Sequence, residues 1–153
     1  MAERLRRLLP GLWAGVLVCI AAIAAPAVFS QLERADAGRV VGRIFVQEAW
    51  LSLALGALLL VLERGRARLA AEAGAGSVLS AEMMLALGAL FCTVAGYFAL
   101  QPMMPAARAG QGPLSFGQLH AVSSVLYAVK VLLLAVLAWR AAKPATVSPP
   151  PSS

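Results

Sequence analysis

A histidine, a serine, a tyrosine and a lysine on one side of an apolar stretch are the first residues in this sequence that could do chemistry. Gly117 to Arg140 reads GQLHAVSSVLYAVKVLLLAVLAWR and contains the sole histidine, His120, together with Lys130. At about 100° per helical residue, His120, Ser123, Tyr127 and Lys130 share an arc of roughly 80°, and Val, Leu and Ala fill the opposite side. Groups of this kind accept protons or bind polar solutes. Hydrocarbon cannot solvate them, so such a stripe must face other helices or a wet cavity.

The acid that pairs best with the stripe on count is Glu48. Taking a span from Ile44 and another from about Phe116, Glu48 and His120 each stand roughly 6 Å below the same boundary. A carboxylate and an imidazole at one depth form a proton-accepting or ligand-binding pair, or a structural hydrogen bond near the headgroups. By the same count Lys130 lies about 21 Å deep and about 15 Å from Arg140, with no acid at its level. Its expected partners are Ser or Tyr side chains, or water entering between helices. The polar site expected from sequence is therefore Glu48, His120, Ser123, Tyr127 and Lys130.

Metal and redox chemistry have weaker support. Cys19 and Cys92 stand at similar mid-span depth, and Met103, Met104 and His120 lie toward one end. Thiol, thioether and imidazole together suit monovalent copper. A haem with two axial histidines would need a second histidine, and the chain has one. No nucleophile has a base and an orienting group at a recognisable spacing, so no catalytic residue is assigned and no cofactor is expected. Phosphate-binding glycine loops and clustered metal-ligand motifs are absent from the sequence.

The elements that position these residues are four apolar blocks. Of 153 residues, 61% are hydrophobic and 13% charged, where soluble domains carry roughly 25% charged residues; mean hydropathy is +0.81. The fold class expected is all-α integral membrane, an antiparallel four-transmembrane-helix bundle. Its spans are about 11–29, 44–62, 81–100 and 117–139, within a domain of residues 11–140. Residues 1–10 form a basic start, and residues 141–153 a disordered tail rich in Pro and Ser. The basic start, apolar run and Ala25-Pro26-Ala27 also match a secretory signal, but the run is long for one and no soluble domain follows. Pro26 is expected to kink or end the first helix. Ser30 to Arg43 is read as a short interfacial helix before the second span, with Asp36 as N-cap. Leu69 to Ser80 and Met103 to Ser115 are connectors.

Small residues mark where helices approach closely. Gly88, Cys92 and Gly96 recur every fourth position, and Gly15 with Cys19 makes a shorter ridge. The formal charge of +6 sits at the ends of the apolar blocks, where arginine meets headgroups, so nucleic acid is not an expected partner. Placing both termini in the cytoplasm puts eight basic residues inside (Arg4, Arg6, Arg7, Arg64, Arg66, Arg68, Arg140, Lys143) and four outside (Arg34, Arg39, Arg43, Arg108). The excess of positive charge favours that topology.

Leu32 to Phe45, LERADAGRVVGRIF, together with Leu119-His120-x-x-Ser123-Ser124, resembles a bacterial family of uncharacterised membrane proteins related to eukaryotic transmembrane protein 205. The resemblance runs from about Leu12 to Trp139. It implies a four-helix membrane domain of unestablished function. The expected role is a small-solute or proton-linked binding or transport component of the bacterial inner membrane. The alternatives are a non-enzymatic assembly partner and a copper-handling protein. Lipid is the expected surrounding, with a second copy or another membrane protein as partner.

Overall fold

Proline placement explains much of the helix pattern. None falls between Ala27 and Gln101, and the chain there forms the longest helix. The computed structural model describes residues 1–74 and 79–143, and contains no strand among them. Four helices are long and apolar enough to cross a membrane: α1 (Ala2–Gln31), α2 (Arg34–Glu72), α3 (Ala81–Arg108) and α4 (Phe116–Ala142).

α2 is one uninterrupted helix of 39 residues, about 58 Å long, nearly twice the roughly 30 Å of a hydrocarbon layer. The segment expected as a separate short helix before the second span is thus continuous with α2. Asp36 is no N-cap: Glu33 holds that position, and Asp36 sits in the first turn paired with Arg39. There its negative charge favours the helix N-terminus. The expected connector from Leu69 begins as helix, because α2 runs on to Glu72. Residues 75–78 and the tail from 144 lie outside the described residues, and with them the expectation of a disordered terminus.

Pro26 does not end α1. It lacks the N–H that would bond the Ala22 carbonyl and crowds that turn; the helix responds with a π turn at Ile20–Ala24 and continues to Gln31. α3 repeats the device: Pro102 cannot bond the Phe98 carbonyl, and the π turn is Val94–Ala99. A short 3-10 turn, Gln101–Met103, follows before helix resumes to Arg108. Gly110 and Gly112 take positive φ of 71° and 104° to turn the chain. α4 then starts on a capping box, in which Ser115 Oγ accepts from the Gln118 amide and the Gln118 side chain accepts from the Ser115 amide.

The principal helix contacts run α1–α2, α2–α3, α3–α4 and α4–α1, a closed ring in which α2 and α4 are diagonal. The apolar core lies in one half of that ring. Leu9, Trp13 and Leu17 of α1 meet Leu59 of α2, Ala86 and Ala89 of α3, and Leu134 and Leu137 of α4. The other half is loose. α1 buries nothing from Ile20 to Gln31, α3 nothing from Val94 to Met103, and α4 nothing between Leu119 and Lys130.

Small residues set the helix separations. Gly88 and Gly96 face Leu133 and Leu126 of α4, and Cys92 between them is buried, so α4 of the same chain fills that ridge. Gly15 has no neighbour within 4 Å, and Cys19 is exposed. The closest approach is elsewhere: a Cβ on Gly56 would stand 2.5 Å from Leu90 Cδ2 and 2.6 Å from Leu90 Cγ. Gly56→Ala should therefore destabilise the α2–α3 contact by about 1–3 kcal/mol of overpacking. Thermal unfolding in mild detergent should show it, and Leu90→Ala in the same background should relieve the overlap. A Gly56→Ala protein as stable as the parent would rule out this tight crossing.

A belt of ion pairs closes the well-packed end. Glu3 binds Arg6 at 2.8 Å, Arg6 reaches Glu63 of α2 at 3.1 Å, and Arg66 lies 3.7 Å from Glu63 and 3.6 Å from Glu82 of α3. Arg140 of α4 binds Glu82 at 2.8 Å. One chain of alternating charges thus touches all four helices. Glu63 is 1% exposed, and its Oε2 has no hydrogen-bond partner.

Candidate functional site

One face of α2 carries the site. Glu48, Ser52, Gly56, Leu59 and Glu63 follow at helical spacing and are all buried. Its polar part, Glu48 and Ser52, lies where the core ends. Across the diagonal, Lys130 Nζ donates to Glu48 Oε1 at 2.7 Å, with the two residues 3% and 5% exposed. Ser52 Oγ also donates to Glu48 Oε1 and lies 3.5 Å from Lys130 Nζ. Trp13 of α1 donates its indole N–H to Ser52 Oγ at 2.9 Å. Tyr127, one turn before Lys130, places its ring 4.9 Å from Nζ and donates its hydroxyl to the Leu17 carbonyl at 2.8 Å. Phe45 meets the Tyr127 ring edge-on at 5.6 Å.

Three helices therefore hold one buried ion pair, each charge with further polar or aromatic contacts. Removing a carboxylate and an ammonium from water costs several kcal/mol each, and only short contacts with added hydrogen bonds offset that cost. The arrangement also permits proton exchange. Moving the proton from Nζ to Oε1 across 2.7 Å leaves two neutral groups, so the core stays uncharged overall in either form.

The expected site residues divide accordingly. Glu48, Tyr127 and Lys130 come together. Ser123 is half-buried one turn further along the stripe, and His120 is exposed. His120 stacks on Phe116 at 5.8 Å, and the Arg108 guanidinium covers the Phe116 ring at 4.6 Å. His120 is thus not the partner of Glu48, and Lys130 does have an acid at its level. The reason is the helix start. Glu48 is fourteen residues from Arg34 and Lys130 fourteen from Phe116 (48 − 34 and 130 − 116), whereas counting from Ile44 placed Glu48 ten residues too shallow.

Ser52 carried a usable signal, because it follows Glu48 by one helical turn, whereas Trp13 on another helix carried none beyond residue type. The Arg6–Glu63 pair and Gly56 carried none beyond residue type. Of the soft metal ligands, Met104 is buried with Ala107 and Leu119, Met103 and Cys19 are exposed, and Cys92 is buried in α3. Among the described residues no three His, Cys, Asp or Glu side chains gather where they could hold a metal ion.

A family model described as a domain of unknown function, DUF4149, matches residues 8–113. The match includes Trp13, Glu48 and Ser52 and stops before α4, which supplies Tyr127 and Lys130. No curated protein and no solved structure matches the chain.

Proposed function

This chain belongs to the DUF4149 family, a domain of unknown function, and from its geometry we propose a small-solute or proton-linked binding or transport component of the bacterial inner membrane. In this reading the four helices are an antiparallel transmembrane bundle. Support comes from contacts that join the start of one helix to the end of its neighbour: Arg6 with Glu63, and Glu82 with Arg140. These also gather the basic segments at one end, which the excess of positive charge assigns to the cytoplasm with both termini. Kinship with eukaryotic transmembrane protein 205 belongs to the same reading and rests on Leu32 to Phe45 and Leu119 to Ser124.

The observation that carries the proposal is the buried Glu48–Lys130 pair. Apolar side chains of similar size would hold helices together as well or better, so an ionisable pair at this depth points to handling of protons or polar solute. Infrared spectra of the protein in lipid nanodiscs, taken across a pH titration, test it. A protonated-carboxyl band should appear and vanish reversibly and be missing in Glu48→Gln. A Glu48 carboxylate that never changes while the protein stays folded would reduce the pair to a helix lock.

One observation favours the alternative of an assembly subunit. Gly15 and Cys19 form an open small-residue ridge, whereas the longer ridge on α3 is already filled. Under that reading Gly15→Leu changes the co-purifying complex or the oligomeric state and leaves the fold intact.

A further inference from the structure

Burial changes abruptly at the level of the ion pair. On the side of the charge belt, the path from Glu48 to Glu63 passes Leu59, Leu17 and Leu134, each 0% exposed, and Trp13 at 1%. These side chains come from three helices and are apolar except for the Trp13 indole N–H, which is already bonded to Ser52 Oγ. On the other side the buried residues are Ala37 and Val41 of α2 and one small cluster at the α3–α4 turn, Met104 and Ala107 of α3 with Leu119 of α4. The facing stretches of α1 and α3 are the two π turns, which bury nothing. Pro26 and Pro102 leave the Ala22 and Phe98 carbonyls without their usual helical donors. Loose packing and freed carbonyls are what water needs to enter between helices.

We infer that water, protons and any polar solute reach the Glu48–Lys130 pair from one end only, the end away from Arg6 and Arg140, and that the apolar core seals the other. The inference rests on the pair being a working site, as proposed above. Entry follows the stripe: Ser123 and Tyr127 of α4 lead down to Lys130, and Phe45 of α2 flanks Tyr127. Other titratable groups facing the pair are Cys92 of α3, within electrostatic reach of Lys130, and Tyr97 of α3 and Tyr127 of α4, within reach of Glu48. α1 contributes the Trp13 indole and the Leu17 carbonyl, neither of which titrates. A site open to one side and plugged on the other is one half of an alternating-access cycle, so release toward the belt would require Leu59, Leu134 and Leu137 to part.

Thiol accessibility in sealed vesicles of both orientations tests this. Cys19 and Cys92 are replaced by Ala, and Ser123→Cys, Leu59→Cys and Arg68→Cys are made singly, the last to mark the belt side. A membrane-impermeant maleimide should label Ser123→Cys only from the face opposite Arg68→Cys, with labelling of Leu59→Cys lost from both faces. Labelling of Leu59→Cys from the belt side overturns the inference, as does an unlabelled Ser123→Cys. Hydroxyl-radical footprinting of the unaltered protein in nanodiscs gives a reading independent of those variants. Phe45, Tyr97 and Tyr127 should be oxidised while Trp13 and Leu59 are spared, and oxidation of Trp13 as fast as Tyr127 overturns it. If Glu48 never titrates yet labelling is one-sided, the proton reading falls and one-sided access stands.

Discussion

Lys130→Met should destabilise the protein by about 3–5 kcal/mol, the usual cost of removing one partner from a buried ion pair. Glu48 remains 5% exposed, with the Ser52 hydroxyl as its remaining neutral donor. Its cheapest escape is to take up a proton, so the loss should shrink at low pH. Adding Glu48→Gln to Lys130→Met removes the orphaned charge and should return stability to the parent level or above. Chemical or thermal unfolding in mild detergent, followed by tryptophan fluorescence, reads all three proteins. Equal stability of the single variant and the parent would mean that the pair is not desolvated. Because the double variant keeps the fold but has no ionisable pair, it also separates the pair's stability role from any transport role.

Arg6→Met should cost about 3 kcal/mol for the same reason at the other polar layer. Glu63, 1% exposed, takes its hydrogen bond from Arg6, and Arg66 stands too far away at 3.7 Å to replace it. Glu63→Gln in the Arg6→Met background should restore most of the loss. By contrast, Glu3→Gln should cost less than about 1 kcal/mol, since the Glu3 side chain is 53% exposed and water screens its pairs. If Glu3→Gln proved as damaging as Arg6→Met, the weight of the belt would lie at its exposed edge. The same detergent unfolding assay distinguishes the two cases.

The all-helical class and the number of long apolar helices were legible because apolar blocks of this length have few other readings. Ser80, expected only as the end of a connector, caps α3, its Oγ accepting from the Met83 amide at 3.2 Å. The Glu48–Lys130 contact was not, because depth was counted from the first apolar residue. A helix can begin well before its apolar block, as α2 does at Arg34. His120 drew attention as the only imidazole, yet residue type says nothing about which way a helix faces. The π turns were hidden as well: Pro26 and Pro102 announce a local disturbance, but whether the helix breaks or widens depends on neighbours that the local sequence does not name.

The ion pair also sets an order of synthesis. Glu48 and Lys130 are 82 residues apart, so at about 5–20 residues per second the acid is made some 4–16 s before its counter-charge. α1, α2 and α3 are complete by then, and Arg6 can already have met Glu63. Until the last helix enters, Glu48 must remain protonated, stay beside the translocation machinery, or hold α2 short of its final depth. Arrival of α4 supplies both Lys130 for Glu48 and Arg140 for Glu82. A nascent chain stopped before α4 is therefore a stalled intermediate with Glu48 unanswered and Glu82 left to Arg66 alone, a state open to recognition by a membrane quality-control protease.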